Sequence, residues 1–356
     1  MPSYTAVGGT ERAASTGLSA VLLNRGGRYP RRTFFQELEK AGFDYIVSME
    51  GTQERYDIEE LSGRFPFVRF ILSKENISPG EAVNLAASEL SGPLFFVLWN
   101  DQKLFNGAAR IAELFLGETD SARGLCVVPV IQTSGFENLH TLIAPFYDRG
   151  RIGALPAAPS YEGQPSLYPY DWTGIYDREK FIRLGGFDRA IPSPYWQLMD
   201  FGFRAYLWGE TIRSTGNVHL IFDGDAGPVD STIDGSYRLF YLKNLAPVFR
   251  GDYAHIPLRR FPGYLAKAGW DLLGAWNEFS KERRWVEENK NRFTCDARTI
   301  TDLWQHGKPD EVPHPETIRP ETIRPEAIRP EAAGPEAFPP GADSPVSDPA
   351  ANEGDG

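Results

Sequence analysis

"ENISPGEAVNLAASELSGPLFFVLWNDQKL", residues 75–104, carries a helix, a turn and a strand in one run. Ser78-Pro79 is a helix start, because proline is tolerated in the first turn, where its missing N–H has no intrahelical partner. Alanine, leucine and valine fill the helix, and Ser91-Gly92 stops it. "PLFFVLW" is then continuously apolar, as a strand buried on both faces must be. It breaks off at Asn100, Asp101, Gln102 and Lys103. Helix, buried strand and polar carboxyl end form the repeating unit of a parallel α/β sheet, and such sheets bind ligands at their carboxyl ends.

The same grammar extends in both directions. "LSAVLLN" (18–24), "DYIVSME" (44–50), "FVRFIL" (67–72) and "GLCVVPV" (124–130) read as further strands, and "PRRTFFQELEKAG" (30–42) as a helix. Asn24 and Arg25 follow the first strand, Glu50 closes the second, Asn76 lies beyond the third, and Asn100 with Asp101 closes the fourth. Any one of these is more often a turn residue or a cap than a ligand. Together they shift the balance toward a binding site.

Residues 146–170, rich in Gly, Pro and Tyr, read as a long functional loop able to close over a ligand. Beyond them, "DWTGIYDREKFIRLGGFD" (171–188) predicts strand, helix and a tight Gly-Gly turn, and "YWQLMDFGFRAYLWGE" (195–210) a helix. "TIRST" and "NVHLIF" predict short strands, and "DGSYRLFYLKNLAPVFR" (234–250) another helix. The domain expectation is a flexible amino terminus over 1–16, an α/β domain over 17–250, a helical extension over 251–306 and a disordered tail over 307–356. In the extension, Trp270, Leu273 and Trp276 are expected to pack on the main domain, with a peripheral membrane contact as the sharper alternative. In the tail, "PETIR", "PETIR" and "PEAIR" put a proline at every fifth residue, which forbids a continuous helix.

Composition narrows the function classes. With 37 basic and 48 acidic residues the net charge is −11, which speaks against a nucleic-acid binder that must neutralise phosphates. Cys126 and Cys295 make no metal-type spacing and read as reduced thiols of a cytoplasmic protein. Neither a secretory h-region nor a membrane-spanning apolar run is present. G-x-G-x-x-G after a strand, the P-loop and H-E-x-x-H are all missing, so dehydrogenase, P-loop kinase and zinc-protease readings fall away.

Residues 75–104 resemble the core segment of family 2 glycosyltransferases with the GT-A fold, in which an Ala-Arg-Asn helix leads through an apolar strand to an Asp-x-Asp motif. "GIYDREKFIRLGGFD" is similar to that family's later Gly-Gly-Phe-Asp block, and "WQLMDFGFRAYLWGETI" falls where its Glu-Asp helix belongs. "NVHLIFDG" and "YRLFYLKN" follow in the family's order. The resemblance covers about residues 18–250. It implies a GT-A-like, Rossmann-type, mainly parallel sheet flanked by helices, and an inverting transfer from a nucleoside-diphosphate sugar to a saccharide or lipid-linked acceptor. The donor would lie against Asn24, Glu50, Asn76, Trp99 and Asn100. Mg²⁺ or Mn²⁺ would sit on Asp101, with His219 as a second metal contact or else a histidine satisfied within a strand.

The departures matter as much. Trp99 stands at the motif's first aspartate, Val83 at an arginine of the helix, and Gln197-Leu198 at Glu-Asp. The general base is thereby lost from its usual position, leaving Asp200 either as a displaced base or as an ion-pair partner of Arg204. A non-catalytic binding or assembly module therefore stays open beside the transferase, and a nucleotidyltransferase is a weaker alternative.

Overall fold

The computed structural model describes residues 2–10, 16–25, 31–51, 57–117, 123–148, 151–224 and 230–306; the tail expected to be disordered lies outside them. The strands are β1 Tyr4–Gly8, β2 Leu18–Leu23, β3 Ile46–Glu50, β4 Val68–Ser73, β5 Leu94–Trp99, β6 Lys103–Leu104, β7 Cys126–Gln132, β8 Leu142–Asp148, β9 Arg151–Ala157, β10 Gly174–Asp177, β11 Ile212–Ile221, β12 Val248–Arg250 and β13 Tyr253–His255. The helices are α1 Arg31–Ala41, α2 Ile58–Arg64, α3 Pro79–Glu89, α4 Ala108–Leu116, α5 Arg178–Leu184, α6 Pro194–Leu207, α7 Gly235–Phe240, α8 Phe261–Lys267, α9 Leu272–Asn289 and α10 Ala297–His306.

The main sheet has the order β1-β4-β3-β2-β5-β10-β7-β11-β6. Strands β4, β3, β2, β5, β7 and β11 run one way, while β1, β10 and β6 oppose them. The expected mainly parallel sheet flanked by helices is therefore present. From β2 the chain steps outward to β3 and β4, then returns through α3 to β5 on the other side of β2. The strand order reverses between β2 and β5, the place at which open α/β sheets bind ligands beside the strand ends. All six residues of each of these strands are buried, which explains their unbroken apolar sequence.

Each face of the sheet has its own core. Leu22, Phe96, Leu98 and Leu220 face a layer that includes Phe35, Leu61 and Ile111 of α1, α2 and α4. Val21, Phe95, Val97 and Tyr176 face α3, α5 and α6, with Phe95 and Tyr176 stacked at 5.0 Å. Tyr264, Phe279, Val286 and Ile300 of the carboxyl-terminal helices join this second core. The extension is thus integrated with the α/β domain.

Three expectations are corrected. Residues 1–16 were expected to be flexible, but Tyr4–Gly8 form an edge strand antiparallel to β4, anchored by a 2.5 Å hydrogen bond from Tyr4 Oη to Glu89. The supposed loop over 146–170 begins inside a hairpin, because the apolar "LIAPFY" and "IGALPA" pair as β8 and β9. Trp270 and Leu273 do not pack inward, being 72% and 78% exposed, whereas Trp276, 46% exposed, lays its ring against Phe261 and the buried Phe279. The buried stripe of α9 is Ala275, Phe279, Glu282 and Val286, spaced by three or four, and Leu273 and Trp276 fall outside it. Trp270 sits in the turn before that helix at φ +66°.

The Gly-Gly turn is positioned by geometry that side chains disfavour. Gly185 caps α5 at φ +92° and Gly186 follows at +63°. Asn84 of α3 brackets the next residue, donating to Phe187 O at 2.7 Å and accepting from Phe187 N at 2.9 Å. A Cβ on Gly186 would lie 2.2 Å from Asn84 Oδ1. Gly186→Ala should therefore lower unfolding stability by about 2 kcal/mol or more, through both strain and overpacking. Urea denaturation with a midpoint equal to wild type would contradict this.

Candidate functional site

Backbone and amide bonds tie the carboxyl ends of β2, β3 and β5 together. Asn100 N donates to Leu23 O at 3.0 Å, and its Oδ1 accepts from Arg25 N at 3.3 Å. Asn24 Nδ2 reaches across to Met49 O of β3 at 2.6 Å. These bonds hold the chain straight as it leaves β2, and they aim the Arg25 side chain over the end of β5.

There the guanidinium meets four groups. It lies 4.2 Å from the Trp99 ring centre and 5.0 Å from that of Phe222, both within cation–π range. Its Nε pairs with Asp101 Oδ2 at 3.1 Å, and its Nη2 bonds the Asp171 carboxylate. Asp171 comes from a turn in which it and Trp172 both adopt left-handed backbone angles, with φ +52° and +60°. Trp99 secures that turn by donating Nε1–H to Asp171 O at 2.8 Å. Gln102 adds a second tie, accepting from Trp99 N at 3.1 Å and donating to Thr173 Oγ1 at 3.1 Å.

Beside this cluster a cavity of about 360 Å³ opens along the strand ends, lined by Asn24, Arg25, Glu50, Ser73, Asn76 and Trp99 among others. Glu50 is buried; Ser48 Oγ donates to it at 2.6 Å, and Arg31 pairs with it at 2.6 Å while also holding Asp57. The cavity is within the size range of small-molecule sites. A larger one of about 440 Å³ lies on the outer side of α3, lined by Asn84, Phe181 and Gly185 among others. It contains no residue from the carboxyl ends of the parallel strands, so the smaller cavity is the better candidate on chemical grounds.

Of the expected donor contacts, Asn24, Glu50, Asn76 and Trp99 share this cavity, while Asn100 supports it from behind. The expected metal pair is not brought together. Asp101 is paired with Arg25, whereas His219 lies in β11 with its backbone N–H bonded to Asn106 Oδ1 at 3.0 Å and its Nδ1 buried without a partner. Val218, Leu220 and Phe222 point to one core, so alternation turns His219 away from the side on which Phe222 meets Arg25. Among the described residues no three His, Cys, Asp or Glu side chains are grouped to hold a metal ion.

The expectation of Asp200 as a base is also corrected. Asp200 has no exposed surface, and its oxygens accept from Arg204 Nη2 at 2.7 Å and from Asn244 Nδ2 at 2.8 Å. No acceptor hydroxyl can reach it, and severing such a buried pair costs about 3–5 kcal/mol. Leu198 stands at the position where the resemblance implies the base, and a hydrocarbon takes no proton.

Arg25 and Asp171 are the residues that sequence reading underweighted. Arg25 stood directly after the first strand, a signal available in advance. Asp171 is 146 positions away from it, and nothing local in its sequence announces the contact.

No protein-family model matches the sequence, and no curated protein matches it. Solved structures with a similar chain path include GalNAc-T7 with UDP, GalNAc and Mn²⁺, at 13% identity and a TM-score of 0.49 over 79% of this chain. The chain spans 56% of the GalNAc-T7 chain. S. aureus TarS 1-349 in complex with UDP-GlcNAc is similar at 13% identity and a TM-score of 0.45, covering 76% of this chain and 90% of that one. The mannosyltransferase PcManGT from Pyrobaculum calidifontis with GDP-Man and Mn²⁺ is similar at 13% and 0.41, covering 74% and 73%.

Burial pushes the Asp171 carboxyl up to about 6, against the opposing pull of Arg25. An acid with a raised folded pKa contributes stability that is fully present below its unfolded value near ~4 and is lost as pH rises through about 6. Asp171→Asn should therefore gain stability relative to wild type as pH is raised from ~4 to ~7. Thermal melts across that window test it, and parallel pH profiles for the two proteins would contradict it.

Proposed function

We propose that the strand-end cavity binds a nucleoside-diphosphate sugar and that the protein is a glycosyltransferase using it as donor. One observation carries this reading: Asn24, Glu50, Asn76 and Trp99, from or just beyond four separate strand ends, line a single cavity beside the point where strand order reverses. Glu50, its side chain buried against Arg31 and Ser48, holds the floor of the cavity in place, and Asn24 and Asn76 supply amides of both polarities to a ligand. Inversion at the anomeric carbon and a cytoplasmic location belong to the same proposal. Isothermal titration with a panel of uridine, guanosine and adenosine diphosphate sugars should find at least one ligand, and Asn76→Ala should weaken it by about tenfold, as loss of a hydrogen-bonding amide does. A panel in which nothing binds would reject the reading.

A second reading is favoured by Asp200 and Leu198. With the helix acid spent on Arg204 and a leucine at the usual base position, the fold can serve as a donor-binding module without transfer. Release of free sugar or of glycosylated product from a bound donor separates the two: turnover supports the transferase, and tight binding without any turnover supports the module.

The acceptor we propose is lipid-linked. Trp270, Leu272, Leu273 and Trp276 are exposed around the α8–α9 turn, and Arg259 and Lys267 nearby are exposed cations. Amphipathic tryptophan with flanking cations suits an anionic bilayer surface. No described helix is long and apolar enough to cross a membrane, so this contact would be peripheral. The protein should float with vesicles containing phosphatidylglycerol, and Trp270→Ser with Leu273→Ser should abolish flotation. Wild-type protein that stays at the bottom of the gradient would remove the support for a lipid-linked acceptor.

A further inference from the structure

We propose that Arg25 takes the cation position of this site, so that a guanidinium rather than a divalent metal ion faces the diphosphate of the bound nucleotide. The inference rests on the nucleotide-binding reading above. It begins with the donor set. A hard divalent ion is held by several oxygen ligands, charged carboxylates foremost among them. Asp101 and Asp171 are the two acids at this end of the sheet that meet Arg25, and both are already paired with it. A metal ion bridging them would have to displace the guanidinium. No third acid, histidine or cysteine joins them among the described residues.

The tryptophan explains why the guanidinium stays. An aspartate at position 99 would add an acid beside Asp101, whereas the indole contributes no ligand and instead offers its π face 4.2 Å from Arg25. Its N–H also fixes the backbone of Asp171, the second carboxylate. Phe222 adds a further ring at 5.0 Å, and Asn100 orients the Arg25 backbone. The loss of one acid and the presence of the cation are therefore two parts of one arrangement. Arg25 also lines the cavity that holds Asn24 and Glu50. A guanidinium has five N–H donors in a planar fork, enough to hold two carboxylates and still address phosphate oxygens, and it keeps its charge at every physiological pH.

The test uses the full chain with UDP and GDP as probes. Titration calorimetry in excess EDTA and in excess Mn²⁺ should give wild-type affinities within twofold of each other for whichever nucleotide binds. The electron paramagnetic resonance signal of free Mn²⁺, followed without nucleotide, should be unchanged by wild-type protein. Arg25→Ala should lose at least tenfold in nucleotide affinity in EDTA and should take up Mn²⁺, because Asp101 and Asp171 are then free to ligate it. Arg25→Lys, which keeps the charge without the fork, should lose less nucleotide affinity and take up no Mn²⁺; it also serves as the control if the alanine variant melts at a lower temperature. Stoichiometric Mn²⁺ uptake by wild type, a tenfold gain of nucleotide affinity with Mn²⁺, or Arg25→Ala binding nucleotide as wild type does would each overturn the proposal. If neither nucleotide binds wild type under any condition, the nucleotide reading fails and takes the diphosphate role with it. The Mn²⁺ comparison of wild type and Arg25→Ala still decides separately whether Arg25 holds the cation position.

Discussion

The Arg25 guanidinium, set against the Trp99 ring and shared by two carboxylates, fixes the relation between three distant parts of the chain. It joins the end of β2, the end of β5 and the strained turn at Asp171–Trp172. Left-handed angles at two consecutive non-glycine residues disfavour that turn. The turn is held by the indole N–H on Asp171 O and by the guanidinium on its carboxylate. Backbone strain, an ion pair and a buried indole are thus balanced at one spot beside the candidate cavity. Strain of this kind is tolerated where surrounding bonds over-determine the conformation.

A second set of buried charges organises the other half of the molecule and accounts for the chemistry missing from α6. Asp200 is held by Arg204 and Asn244, while Lys243 pairs with Asp188 and lies 3.7 Å from Glu282. Lys243 and Asn244 are adjacent in sequence and both are buried, in a turn of π-type spacing over Tyr241–Leu245. Arg204 also caps the Gly-Gly turn, donating to Leu184 O at 2.6 Å and Gly186 O at 2.8 Å. The carboxylate of α6 is therefore committed to locking α5, α6 and the π turn together. Removing either charge would leave the other buried and unpaired.

What the sequence made legible was whatever short-range pattern controls. The five apolar runs became strands within a residue or two of their expected bounds, and α3 begins where Ser78-Pro79 announced it, with a Ser78–Glu81 capping box. The strand-end residues Asn24, Glu50, Asn76 and Trp99 were found together because the carboxyl ends of parallel strands must share an edge. Long-range pairing was the hidden part. Tyr4–Gly8 became a strand only because the edge of β4 was open to it, and the partner of Arg25 lies beyond a hairpin in an unusual turn. The expectation that Trp270 and Leu273 pack on the main domain failed for a related reason: helical spacing marks an apolar group but not the direction in which it faces, and the buried stripe of α9 begins at Ala275.

Asp101 is a retained acid whose partner in this structure is a guanidinium. A single acid at the end of a parallel strand invites a metal, because that is what such acids often hold. In this molecule it has a different occupation. Asp101 is 39% exposed at its side chain and faces a guanidinium that it shares with Asp171. An aspartate at position 99 would replace the π face beneath Arg25 with a carboxylate and remove the bond to Asp171 O. That one change would both invite a metal and release the turn carrying the second acid. Residue 99 therefore bears on Arg25 twice, through the ring that faces the guanidinium and through the N–H that holds the backbone of Asp171.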